Sequence, residues 1–68
     1  MEEEIKEFVF DEVLFRLETY HSISVDDQLE ENIYKVIDKE YDNFIKSTQL
    51  WEPDPYIDCV LNRILSSL

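Results

Sequence analysis

The sequence predicts an all-α fold: a small three-helix antiparallel bundle, formed as a single acidic helical domain over residues 1–68. Apolar residues recur at intervals of three and four along three segments, and prolines or short polar stretches separate those segments. A chain of 68 residues can also enclose only one core. We expect helices at about 2–20, 25–47 and 55–66, with connectors short enough to place consecutive helices antiparallel.

The first predicted helix is apolar around most of its circumference. One side carries Ile5, Val9, Val13, Leu17 and Tyr20. Two further sides are also apolar, one with Phe8 and Phe15 and the other with Phe10 and Leu14. A helix with two neighbours cannot bury so wide an arc, so part of this surface is expected to face water and to form an interface.

The second predicted helix is amphipathic and begins near two aspartates. Its apolar face is Leu29, Ile33, Val36, Ile37, Tyr41 and Phe44, with Tyr34 on its flank. Ser24 stands three residues before Asp27, which is a weak form of the capping box, and Asp26 adds negative charge at the positive end of the helix dipole.

The third predicted helix follows a proline-containing connector. Pro53 ends the preceding segment, Asp54 is the expected N-cap, and Pro55 suits the first helical position, where a missing N–H has no cost. The apolar face of this helix is Tyr56, Ile57, Val60, Leu61, Ile64 and Leu65.

Glu40 and Arg16 each interrupt an otherwise apolar helix face. A buried carboxylate needs a partner, so we expect these two side chains to pair and to set the register of the first two helices. The alternative is that Glu40 serves as an interfacial acid for a lysine or arginine of another protein.

The sequence contains no recognisable set of catalytic or cofactor-binding residues. His21, the single histidine, is expected in a connector near the end of the first helix, and Cys59, the single cysteine, beside the apolar face of the third. One cysteine can form neither an internal disulfide nor a cysteine-based zinc site. We therefore expect no enzyme activity and no cofactor or metal, and a small hydrolase using His21 is the weakest alternative.

The charge balance limits the classes of partner. Seventeen acidic residues stand against six basic ones, for a net charge of −11, so direct contact with nucleic acid or an anionic membrane is disfavoured. The acidic start lacks the cationic region of a signal peptide, and a lone thiol suits a reducing compartment, so we expect a cytoplasmic protein. The absence of glycine suggests AT-rich coding in a bacterium or phage.

One strip of the first helix is acidic and consists of Glu4, Glu7, Asp11 and Glu18. Regularly spaced carboxylates on a rigid helix can replace the phosphates of a nucleic acid in a basic groove. The sequence thus favours a protein-binding inhibitor or regulator of a basic, nucleic-acid-binding partner, in the general manner of phage host inhibitors, anti-CRISPR proteins, antitoxins and immunity proteins. The alternative is that acidity serves solubility alone.

The apolar surface available to a partner is expected to come from five residues: Phe8, Phe10, Leu14, Phe15 and Trp51. In the second account of function this surface closes a homodimer or a larger helical assembly, and the protein is a structural subunit. A third possibility is that Trp51 and Leu50 fold back over part of it, leaving less apolar surface exposed.

Overall fold

The computed structural model describes residues 1–45 and 52–68. These residues form three helices, α1 (Glu2–Tyr20), α2 (Asp27–Phe44) and α3 (Pro53–Ser66), and no strand occurs among them. Each helix contacts the other two around a shared core. The predicted all-α class and the number of helices are confirmed, and in the described ranges no helix is long and apolar enough to cross a membrane.

Helix α1 has the predicted bounds, and its end is fixed by the backbone. Three glutamates occupy its first turn, where negative charge offsets the helix dipole. His21 is the C-cap, and Ser22 then adopts a positive φ of 53°. The N–H of Ile23 donates to the carbonyl of Leu17 at 3.0 Å. The connector is therefore hydrogen-bonded to the last turn of α1.

Helix α2 begins at Asp27, two residues later than predicted. Asp26 is its N-cap, and the Asp26 carboxylate accepts a hydrogen bond of 2.8 Å from the N–H of Leu29. Capping by Ser24 was therefore the wrong prediction, because the stronger acceptor next to the helix satisfies the free N–H group. The helix ends at Phe44, and residues 46 and 47 of the predicted range lie outside the described residues.

Helix α3 begins at Pro53, two residues earlier than predicted. Glu52 is the extended N-cap residue, and Asp54 lies in the first turn instead of capping it. The first positions of a helix have no intrahelical use for their N–H groups, so both prolines are tolerated there. The sequence rule was correct, but it was applied to the second proline where the structure uses the first.

The core contains aliphatic side chains from all three helices together with Phe10 and Tyr56. Its members are Ile5, Val9, Phe10, Val13, Leu17, Leu29, Ile33, Ile37, Ile45, Tyr56, Ile57, Val60, Leu61 and Ile64. The ring of Tyr56 stacks on Phe44 at 5.2 Å, and its hydroxyl donates to the carbonyl of Ile37. The buried Tyr56 hydroxyl is thus satisfied by the backbone of α2.

Phe10 of α1 was predicted to belong to the outer apolar surface, and this prediction is wrong. Phe10 is buried, with 9% of its surface exposed, whereas Tyr20 is 70% exposed. Tyr34 of α2 covers the Phe10 ring, a contact that helical periodicity within α1 cannot reveal. Tyr20 is the last residue of its helix, and its ring meets the edge of Phe15 instead of the core.

The predicted Arg16–Glu40 pair is wrong. Arg16 turns towards α3, where it lies 3.0 Å from Asp58 and 3.8 Å from Asp54. Glu40 is buried as expected, but its partner is Arg63 of α3, at 3.0 Å. Each residue was correctly expected to be paired, and the sequence could not indicate which of two neighbouring helices supplies the partner.

Candidate functional site

All four residues of the predicted acidic strip, Glu4, Glu7, Asp11 and Glu18, are exposed on α1. The structure brings two of them, Glu7 and Asp11, close to Tyr34 of α2. The strip is therefore continuous with the surface where α1 and α2 meet.

A small groove separates α1 from α2 beside this strip, and we call it the acidic groove. Its volume is about 270 Å³, and its lining residues are Glu3, Lys6, Glu7, Tyr34 and Asp38. Tyr34 is 40% exposed, and its ring stacks on that of Phe10 with 4.2 Å between centroids and 18° between planes. A packed aromatic ring thus stands among carboxylates from two helices.

The negative field of the acidic groove acts on Tyr34. Burial raises the pKa of the Tyr34 hydroxyl, and the charges of Glu7, Asp11, Glu3 and Glu30 raise it further. The four carboxylates and the burial all disfavour a negative charge on the Tyr34 hydroxyl. The same field attracts a cation, and an aromatic face beside carboxylates suits a lysine or arginine side chain.

Lys6 lines the acidic groove and forms an ion pair with one carboxylate of each helix. Its Nζ atom lies 2.7 Å from Glu2, 2.9 Å from Asp38 and 5.0 Å from the centre of the Tyr41 ring. The hydrogen bonds to Glu2 and then to Asp38 raise the pKa of this ammonium group. Lys6 therefore bridges α1 and α2 and leaves Glu3, Glu7, Asp11 and Glu30 as the carboxylates near Tyr34.

The predicted apolar surface is divided by the structure. Phe8 and Phe15 are exposed, Leu14 is partly buried against the core, and Phe10 is buried and does not belong to an outer surface. Trp51 lies outside the described residues. Phe15 instead forms an edge-to-face pair with Tyr20, at 6.1 Å and 90°.

Sequence reasoning missed Tyr34 and Tyr20 as surface aromatic residues. Tyr34 was placed on the flank of the apolar face of α2, and that flank position was the available signal for a ring at the groove between two helices. Tyr20 gave no such signal, because its helical position matches the core side of α1.

The residues considered for catalysis lie apart from the acidic groove. His21 is exposed at the end of α1, and Cys59 is a partly buried free thiol on α3. Over residues 1–45 and 52–68, no three His, Cys, Asp or Glu side chains form a cluster suited to a metal ion. The chemistry that this arrangement supports is the binding of cations by charge and by an aromatic ring.

Comparisons of this chain with protein-family models, with curated proteins and with solved structures find no match.

Proposed function

We propose that this protein is a small acidic inhibitor or regulator that binds a basic protein and occupies the nucleic-acid-binding site of that partner. The observation that carries the proposal is the acidic groove, where Glu3 and Glu7 of α1 line the same space as Asp38 and the partly exposed Tyr34 of α2. Such an arrangement offers charge together with an aromatic contact, which bare solubilising charge does not require.

The mechanism is occupancy of a surface, with no chemical step and no cofactor. Carboxylates held on two packed helices meet the lysine and arginine side chains that otherwise contact phosphates. Binding of this kind is fast and strongly weakened by salt, because the attraction acts between exposed charges. We place the activity in the cytoplasm of a bacterium or of a phage-infected cell, where the free thiol of Cys59 stays reduced.

The partner-binding face is presented by a defined packing of the helices. We propose that consecutive helices run antiparallel. Lys6 in the first half of α1 pairs with Asp38 in the second half of α2, and Phe10 and Tyr34 stack where the middles of the two helices meet. The same relation joins α2 and α3, since the ring of Phe44 at the end of α2 stacks on Tyr56 near the start of α3.

A homodimeric or heteromeric structural subunit is the second candidate, and one observation favours it. Phe15 and Tyr20 form an aromatic pair, in which Phe15 is 55% exposed and Tyr20 is 70% exposed. A partner covering this pair would bury apolar area, so association would be insensitive to salt. Docking two copies through the acidic strip is opposed by like charge, which restricts such a dimer to the Phe15–Tyr20 end of α1.

The experiment is capture of partners from the source cell by the immobilised protein at low salt, followed by elution with a salt gradient. The recovered protein is then tested for release of a labelled nucleic acid on addition of the inhibitor. We expect elution at moderate salt and displacement at stoichiometric concentration. Association that is unchanged in high salt would contradict the proposal and favour the structural subunit.

Matched variants locate the site. Glu7→Gln with Asp11→Asn removes two charges at the acidic groove, and Glu31→Gln with Asp42→Asn removes two exposed charges of α2 outside its lining. We expect the first pair to weaken partner binding about tenfold and the second pair to change it little. Equal losses from both pairs would show that net charge alone governs binding.

A further inference from the structure

A second and larger groove lies between α2 and α3, and we call it the cationic groove. Its volume is about 620 Å³, within the range of sites that hold small organic molecules. The lining residues that matter here are Asn32, Lys35 and Val36 of α2, and Asn62, Arg63 and Ile64 of α3. It is separate from the acidic groove and shares no lining residue with it.

The charge of this groove is opposite to that of the whole protein. Its lining contains Lys35 and Arg63 and no carboxylate, although acidic residues outnumber basic ones by 17 to 6 in the chain. Among the described residues, Lys35 forms no ion pair. Its ammonium group is therefore available to an anion that enters the groove.

The position of Arg63 is fixed by an ion pair with Glu40. Its Nη2 atom lies 3.0 Å from Oε1 of Glu40, whose other oxygen accepts a hydrogen bond of 2.8 Å from Asn43. The Glu40 side chain is buried, whereas that of Arg63 is half exposed. A guanidinium group has five N–H donors, so one edge can be fixed by Glu40 while others face the groove.

The groove also has an apolar part. Ile64 is buried and Val36 is partly buried at the packed side of the lining. The amides of Asn32 and Asn62 are exposed at its rim and can donate to or accept from a ligand. With Arg63 matched by Glu40, the charge left for a ligand is the single positive charge of Lys35.

We propose that the cationic groove binds a singly charged organic carboxylate with a short apolar body. The carboxylate lies between the Lys35 ammonium and the outward N–H groups of Arg63, and the apolar body lies against Val36 and Ile64. One unmatched positive charge favours a monoanion over a multiply charged phosphate. This inference does not depend on the proposed function, since the two grooves differ in place and in sign.

The test is an NMR titration of the ¹⁵N-labelled protein with hexanoate, comparing wild type with two single variants. Lys35→Gln removes the groove cation, and Lys39→Gln removes an exposed lysine one turn further along α2 that does not line the groove. We expect saturable shifts at Asn32, Asn62 and their neighbours. Hexanoate should bind about tenfold more weakly to Lys35→Gln and unchanged to Lys39→Gln.

Three results would overturn the proposal. If hexanamide binds as tightly as hexanoate, the charge is not recognised. If acetate binds as tightly as hexanoate, the apolar part of the groove contributes nothing. A dimer that sediments in wild type and Lys39→Gln but dissociates in Lys35→Gln would mean that a second copy of the chain occupies the groove.

Discussion

The two grooves lie on either side of the core face of α2, and they use charge in different ways. At the acidic groove the carboxylates come from exposed positions and surround a stacked tyrosine. At the cationic groove a carboxylate is buried, and its partner Arg63 reaches the surface. Exposed charge creates a field for a partner, whereas the buried charge fixes one side chain in place.

Three of the described basic side chains form ion pairs that join one helix to another. Lys6 joins α1 to α2, Arg16 joins α1 to α3, and Arg63 joins α3 to α2. Each pair of helices thus has a cationic bridge, and most of the acidic residues are left on the surface. The comparison teaches that three of the described basic residues join helices, whereas most of the described acidic residues are presented at the surface.

The largest effect is expected from Arg63→Met. This change leaves the buried Glu40 carboxylate with Asn43 as its hydrogen-bonding partner, and it should lower the free energy of unfolding by about 2–3 kcal/mol. Arg16→Met is the matched control, because the carboxylates of Asp54 and Asp58 remain solvated when the arginine is lost. Its cost should be below about 1 kcal/mol.

Urea unfolding followed by circular dichroism measures both variants. Replacing Glu40 by leucine in the Arg63→Met background should recover part of the stability, because the unpaired charge is then removed. Equal losses from Arg63→Met and Arg16→Met would break the distinction between buried and exposed charge.

The free energy of unfolding should fall at alkaline pH, because the buried Tyr56 holds a proton that the unfolded chain then loses. Burial is the main cause that raises the pKa of Tyr56 above its ordinary value of 10.0, so the folded state holds this proton more tightly than the unfolded chain does. The stabilisation is complete below pH 10 and is lost as the pH rises further towards the folded-state value. Tyr56 alone contributes a slope of up to about 1.4 kcal/mol per pH unit.

Lys6, whose pKa is also raised, acts in the same direction, because its proton too is held more tightly in the folded state. Urea unfolding at pH 8, 9, 10 and 11 measures the combined effect. Tyr56→Phe should show a shallower alkaline loss together with a cost of about 1 kcal/mol at neutral pH for the missing hydrogen bond. An unchanged alkaline slope in Tyr56→Phe would contradict this assignment.

A smaller effect is expected from Tyr34→Leu, which removes the aromatic ring of the acidic groove and keeps its carboxylates. Loss of a cation–π contact at an exposed site should weaken the binding of a basic partner about threefold to fivefold. Tyr20→Leu removes an exposed tyrosine at the far end of α1 and serves as the control in the same isothermal titration. If Tyr20→Leu has the larger effect, the Phe15–Tyr20 surface is the binding site.

The smallest effect is expected for the folding stability of Lys35→Gln and Lys39→Gln. The two lysines are one turn apart on α2 and neither forms an ion pair among the described residues, so each change should alter the free energy of unfolding by less than about 0.5 kcal/mol. Urea unfolding checks this value. A larger loss for Lys35→Gln would give that lysine a structural role in the cationic groove.

Most of the secondary structure could be predicted from the sequence, because periodicity and proline placement are local signals. The bounds of α1 were predicted, and the starts of α2 and α3 were each displaced by two residues. At α2 the displacement arises because two nearby residues, Ser24 and Asp26, could cap the same helix, whereas at α3 either of two prolines could occupy the first turn and no side chain caps the helix. Which of two possible residues becomes the N-cap depends on the local backbone geometry.

The candidate site was predictable only in part. Exposure of the acidic strip follows from its position opposite the core residues of α1. The stacking of Tyr34 on Phe10 and the pairing of Glu40 with Arg63 depend on how the helices are rotated against one another. Periodicity within one helix identifies a face, and it leaves open which neighbouring helix covers that face.

The connector between α1 and α2 has a consequence for recognition. Ser22 takes a left-handed conformation, with a φ of 53°, in a chain without glycine, and Ile23 is hydrogen-bonded back to Leu17. A serine has far fewer conformations open to it than glycine would have there. This restriction limits the conformations of the connector, so in the proposed complex a basic partner would meet carboxylates already arranged and less ordering entropy would be lost on binding.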